Sequence, residues 1–143
     1  MRMIDRSAES SREFLRTRTA FSKLKPALFE VVAKEFEWIS FDREEILFSQ
    51  GDKSDRIFFV VHGRLVISRR DNNGKEKVVG WVKPGESVGE LALFEGDLRT
   101  ATVRASRATV TISLSREGYE ALAARVPQSL IVLNHLLATP FAK

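Results

Sequence analysis

The apolar pattern of this chain changes period near Trp38, and that change limits the folds open to it. Upstream, Leu24, Leu28, Val31, Val32 and Phe36 recur at i, i+4, i+7, i+8 and i+12, the stripe of an amphipathic helix. Pro26 suits the first turn of that helix, where its missing N–H costs nothing. From Trp38 to about Ser113 the apolar residues come instead in short runs: Trp38–Phe41, Glu45–Phe48, Ile57–Val61, Leu65–Ile67, Val78–Val82, Thr102–Val103 and Val110–Ile112. Gly51-Asp52, His62-Gly63, Asn72-Asn73-Gly74 and Pro84-Gly85 punctuate them. Many short strands so spaced predict an antiparallel β-barrel or jelly roll of the double-stranded β-helix kind, as in cupins, rather than a βαβ sheet. Asp71-Asn72-Asn73-Gly74 is the clearest hairpin, because Asn and Gly tolerate the positive φ of tight connections.

Helical spacing returns after Ser115, a suitable N-cap, with Tyr119, Leu122 and Val126 at i, i+3 and i+7. Pro127 opens a further helix striped by Leu130, Leu133 and Leu137, and Pro140 stops or kinks it. The expected layout is mainly β with flanking helices. Residues 1–12 form a flexible basic leader, 13–37 the N-terminal helices, 38–114 the barrel and 115–139 the C-terminal helices. At 143 residues this is one domain, large enough to bury one core.

Charge and composition exclude several function classes. The net charge of +4 resides in residues 1–25, with seven cations against three acids, and the remainder is balanced. The excess therefore belongs to the N-terminal segment, which fits a solvated helix face of mixed charges ahead of a contact with a membrane surface, nucleic acid or an acidic partner. With no cysteine, thiol nucleophiles, disulfides and Cys-based zinc sites are all excluded. His62 and His135 lie too far apart for a metal pair and no His-x-His occurs, so no metal and no cupin-type metal chemistry are expected. Glu44-Glu45 fits a solvated turn better than a general acid/base pair. No apolar run reaches the ~18 residues of a membrane span, and no signal peptide is visible at the N-terminus. The expectation is a cytoplasmic, non-catalytic chain.

One segment, residues 88–103, departs from ordinary barrel sequence: Val88-Gly89-Glu90-Leu91-Ala92-Leu93-Phe94-Glu95-Gly96-Asp97-Leu98-Arg99-Thr100-Ala101-Thr102-Val103. A glycine opens one short helical turn, letting the backbone approach a ligand. The amides of Glu90, Leu91 and Ala92 favour an anion there, and Arg99 adds a planar fork suited to phosphate oxygens. Glu90 makes sense beside them as the acceptor for a ribose hydroxyl. An anion cradle with a neighbouring hydroxyl acceptor points to a nucleotide.

This segment resembles the phosphate-binding cassette of cyclic nucleotide-binding domains, and the resemblance extends over most of residues 20–139. Glu45–Asp52, Val60–Leu65 and Pro84–Glu90 look like landmarks of that family, in family order. The resemblance implies that Glu90 holds the ribose 2′-hydroxyl, with Gly89 contributing, and that Arg99 pairs with the cyclic phosphate. Backbone amides near Leu91, Ala92 and Ala101 would complete the cradle. Thr100 would bond the phosphate, or a guanine amino group if the base is syn. Ile67, Val79 and Val88 would line the base pocket. In many relatives a continuing last helix supplies a base-capping residue; here Pro140 interrupts it, leaving that role to Phe141 or to none.

The resemblance thus implies a regulatory module for cAMP or cGMP, with no other cofactor and an effector outside these residues. A degenerate, ligand-free barrel and the effector domain of a transcription regulator lacking its DNA-binding part stand as alternatives. Homodimerisation through the terminal helices is also open. The run Glu37–Phe41 followed by Gln50-Gly51-Asp52 looks most like sensor domains of patatin-like phospholipases of the neuropathy-target-esterase type, with channel or transporter regulatory domains comparable.

Overall fold

In the computed structural model the description covers residues 2–4, 13, 25–53, 55–89, 98–125 and 127. Helix α1 (Pro26–Lys34) is followed by strands β2 (Phe36–Phe41), β3 (Ile46–Phe48), β4 (Arg56–His62), β5 (Leu65–Arg70), β6 (Glu76–Val82), β7 (Ser87–Val88), β8 (Thr102–Ala105) and β9 (Thr109–Ser115). Helix α2 (Arg116–Arg125) closes the series, and β1 (Arg2–Ile4) begins it. The strands pair antiparallel in two sheets, ordered β1-β2-β9-β4-β7 and β3-β8-β5-β6. The architecture is the jelly roll expected, as two facing sheets and not one closed barrel.

Two cores follow from this layering. Between the sheets, Phe58, Val60 and Val88 meet Leu65, Ile67, Val82 and Val103. On the other face of the larger sheet, Ile57, Phe59, Ile112 and Leu114 meet Phe29 and Val32 of α1 and Leu122 of α2. Strand β4 is therefore covered on both faces, which is why Ile57–Val61 is a continuous apolar run instead of an alternating one. The buried polar groups of this sheet are bonded, as when the Thr111 hydroxyl donates to the Ile39 carbonyl at 2.9 Å.

Local signals behave as their chemistry requires. Pro26 is at the start of α1, and the Ser115 hydroxyl caps α2 by accepting from the Gly118 amide at 3.0 Å. The Asp71–Gly74 hairpin forms, with the Asp71 carboxylate accepting from the Asn73 and Lys75 amides. Glu44 and Glu45 lie in a turn as expected; Glu45 accepts from the Asp42 amide and Glu44 pairs with Arg104 at 3.0 Å.

Two expectations are corrected. Phe36 was expected on the helix stripe, but α1 ends at Lys34 and Phe36 opens β2, opposite Leu114 and with its ring 5.9 Å from Phe59. An apolar residue at i+12 satisfies a helix stripe and a strand start equally, and pairing with β9 decides it. Arg2–Ile4, expected in a flexible leader, pairs with β2, Met3 opposite Ile39. The Arg2 guanidinium holds both oxygens of Asp42, at 2.9 and 3.2 Å, fixing the strand to the sheet edge.

Candidate functional site

Among the described residues Arg99 is the best-buried charged one, 4% exposed, near the end of the segment singled out in the sequence. Four stretches of chain converge on it. The Gly51-Asp52 turn holds its backbone from both sides: the Arg99 amide donates to the Asp52 carbonyl at 2.7 Å, and the Gly51 amide donates to the Arg99 carbonyl at 2.8 Å. From the adjoining β3, the Phe48 ring lies under the guanidinium, 3.8 Å from its centroid. Phe48 itself stacks on Phe58 of β4, with centroids 6.2 Å apart, so the platform is anchored in the inter-sheet core. One guanidinium nitrogen donates to the carbonyl of Arg56 and the other to that of Gly89 at 3.3 Å.

Gly89 is required by this arrangement. Its φ is +98°, the left-handed region that side-chain-bearing residues avoid, and a Cβ there would strike the Arg99 guanidinium and approach the Arg56 carbonyl to 3.1 Å. The glycine thus brings its carbonyl against Arg99 immediately before the segment expected to form the cradle. Arg56 contributes in two ways. Its carbonyl receives Arg99, and its own guanidinium bonds Glu37 at 2.6 Å and the Ser113 hydroxyl at 2.8 Å, tying β4 to β2 and β9.

Thr100 is exposed and its carbonyl accepts from Nε of Arg69 at 3.2 Å; Ala101 is buried. Gln50 joins the turn to both neighbours, its amide donating to the Thr102 hydroxyl and its side-chain carbonyl accepting from the Arg70 amide. Ile67 and Val88 are each 3% exposed and lie in the inter-sheet core, against which the partly buried Val79 also packs. The three apolar candidates are therefore gathered in one place, on β5, β6 and β7. Glu90, Leu91 and Ala92 lie outside the described residues, as do His135, Pro140 and Phe141.

The sequence reading missed Arg56, Phe48 as a cation platform, and Arg69. Arg56 acts on Arg99 through a carbonyl, which any residue carries, so residue identity held no signal. Chemically, the arrangement presents a permanent cation whose side chain is oriented by carbonyls and a ring. A guanidinium taken out of water and fixed in this way suits an anion with planar oxygen geometry. Among the described residues no group of three or more His, Cys, Asp or Glu is placed to hold a metal ion, and no helix is long and apolar enough to cross a membrane.

Comparison with known proteins gives the family of the chain and relatives of its fold. Residues 38–126 match the family model described as cyclic nucleotide-binding domain. Lysophospholipase nte1 of Aspergillus terreus is 34% identical over 117 residues, which are 82% of this chain and 8% of that protein. The chain thus spans under a tenth of that relative, and this match carries the likeness to phospholipase sensor domains noted around Trp38. Among solved structures, the N-terminal domain of a transcriptional regulator from Streptomyces coelicolor superposes with a TM-score of 0.75 and 26% identity, covering 87% of this chain and 89% of that one. The catabolite activator protein of Thermus thermophilus gives a TM-score of 0.73 and 29% identity, over 83% of this chain and 56% of that one.

Proposed function

The chain belongs to the cyclic nucleotide-binding domain family, and from that premise we propose that it is a regulatory module whose segment 88–103 binds cAMP or cGMP. The observation that carries the reading is Arg99, buried, held by the carbonyls of Arg56 and Gly89 and seated on Phe48. Orienting a guanidinium in advance lowers the ordering cost of binding a singly charged cyclic phosphate. In this reading Glu90 takes the ribose hydroxyl, the amides of Leu91, Ala92 and Ala101 complete the phosphate cradle, and Ile67, Val79 and Val88 receive the base. Thr100 serves the phosphate or the base edge.

Ligand charge then stabilises the arrangement that closes around it, and the flanking helices report that shift to an effector. The chain supplies recognition, and catalysis or DNA binding belongs to other parts of the protein that uses it. Its similarity to a short stretch of a lysophospholipase supports an effector of that kind.

Calorimetric titration with cAMP and cGMP, with 5′-AMP as control, tests the reading. Saturable binding of a cyclic nucleotide and not of 5′-AMP is expected. Arg99→Ala should cost about 2–5 kcal/mol of binding, the usual effect of truncating one partner of a buried charge pair. Glu90→Ala should weaken binding while leaving the thermal melt in place. Unchanged affinity in both variants, or no cyclic nucleotide bound at millimolar ligand, would overturn the assignment and favour a ligand-free interaction domain.

A further inference from the structure

A strand at the rim of a sheet offers unpaired backbone groups to other chains, and proteins blunt such edges by shortness, bulges or lysines. Among the described strands, three of the four sheet edges follow that rule. Strand β7 is two residues long. Strand β3 has three residues, and its register against β8 is broken between Ile46 and Phe48. Strand β6 is longer but carries Lys77, and Val79 bulges where Ile67 opposes Gly80 and Ser68 opposes Val78. The fourth edge is held by β1 alone. Behind it β2 runs Phe36-Glu37-Trp38-Ile39-Ser40-Phe41, six residues in unbroken register with β9. It has no proline, no lysine and one charge, Glu37, which Arg56 pairs at 2.6 Å. That is the composition of a strand prone to pair with a copy of itself.

Strand β1 covers only Trp38–Ser40 of this edge and is lightly held. Met3 is 57% exposed, and the latch is the Arg2–Asp42 ion pair at 2.9 Å, with Glu45 at 4.0 Å. The Arg2 and Asp42 side chains are 54% and 74% exposed, so their pairing adds little to a ladder of three residues. We propose that β1 is a displaceable guard strand, and that the β2 edge beneath it binds a second copy of this chain, β2 against β2. The β1 register shows what a partner strand must do: Met3 lies opposite Ile39, with Arg2 and Ile4 opposite Ser40 and Trp38. A second β2, antiparallel with Ile39 on the twofold axis, sets Trp38 opposite Ser40 and reuses the same positions. Glu37 then faces Phe41, so no like charges oppose one another. Such a pair is isologous: it consumes both β2 edges, leaves only the blunted ones and closes as a dimer. Guard strand and second copy compete for one edge, so the chain is a monomer while Arg2 is latched.

Light scattering and sedimentation of the full chain, of Arg2→Glu and of Arg2→Glu/Asp42→Arg test this. Arg2→Glu sets a carboxylate against Asp42 and Glu45, and the double variant restores opposite charges at two exposed positions. A latch of this kind weighs up to about fivefold on the β1 equilibrium, and a dimer opens two, so Arg2→Glu should tighten dimerisation by about tenfold or more. Hydrogen exchange across residues 38–40 should slow as that variant is concentrated, and the double variant should return to the monomer. Should Arg2→Glu lower the thermal melt, Arg2→Ala, which removes the latch and adds no charge, carries the test with the same signs. A latch variant that stays monomeric would overturn the proposal, whether the β2 amides open or not. So would an unaltered chain that dimerises equally tightly, a dimer protected elsewhere than β2, or growth into larger species with no dimer plateau. A double variant as associated as the single one would overturn it too, by showing that the ion pair does not hold the guard strand.

Discussion

At the scale of single residues, the site is built from groups whose usefulness comes from backbone position. Gly89 is the clearest case, because its φ of +98° and its closeness to Arg99 make two separate demands for the absence of a side chain. Gly89→Ala should therefore cost stability through the forced left-handed backbone, about 1–3 kcal/mol. It should also displace the Arg99 guanidinium, so that cyclic nucleotide affinity falls by more than stability alone accounts for. Thermal denaturation alongside titration separates the two effects. A destabilised variant with full affinity would show that the guanidinium finds its place without Gly89. Gly63, at φ +100°, makes a similar steric demand against Thr109 and Ala108, but far from Arg99 in chain order and with only a turn at stake.

At the scale of elements, what was legible in the sequence depended on whether the deciding force was local. The Asp71–Gly74 hairpin, the Pro26 helix start and the Ser115 cap are local, and each stands where its residues placed it. The continuous apolar run of β4 was also legible, since burial on both faces leaves a mark in composition. Strand β1 was not: Arg2–Ile4 lies in polar surroundings, and its pairing with β2 joins residues some 36 positions apart. Phe36 failed for the related reason that a non-local partner, Leu114, chose between two patterns that fit equally well. The site divides in the same way. Arg99 and Gly89 declared themselves by residue type and spacing, whereas Arg56 works through a carbonyl and Phe48 through a face that only the fold turns toward Arg99.

Helix α2 also carries a pH signature. Burial pushes the Tyr119 phenol above its ordinary value of 10.0. The folded chain thus keeps this proton at a pH where the unfolded chain has released it. The associated stability is fully present below pH 10 and is lost as pH rises through the elevated folded value. Denaturant melts from pH 8 to 11 should show this decline, and Tyr119→Phe, which has no phenol to ionise, should flatten it. An identical alkaline decline in that variant would assign the effect to other groups.

At the scale of the whole molecule, the two cores are not independent, because they are the two faces of one sheet. Strands β2, β4 and β9 contribute Trp38, Ile57, Phe59 and Leu114 to the helix side and Ile39, Phe41, Phe58 and Val60 to the inter-sheet side. Loosening either face must disturb a backbone that the other requires, so the chain should unfold in one cooperative transition. Leu122 of α2, 0% exposed, is the place to perturb it. Leu122→Ala should destabilise the chain by about 2–5 kcal/mol. The two tryptophans supply probes on opposite sides: Trp38 lies in the helix-side core, while Trp81 lies on β6 of the other sheet, 42% exposed and beneath the Arg64 guanidinium. In Leu122→Ala chains carrying in addition Trp38→Phe or Trp81→Phe, fluorescence melts should coincide with circular dichroism once each parent's midpoint is allowed for. Loss of the Trp38 signal ahead of the sheet would mean that the helix-side core melts alone, and that the helices are a separately stable layer on a self-sufficient jelly roll. Coincidence would mean that helix packing and site geometry share one free energy, so that a ligand held by Arg99 raises the stability of α2 without touching it.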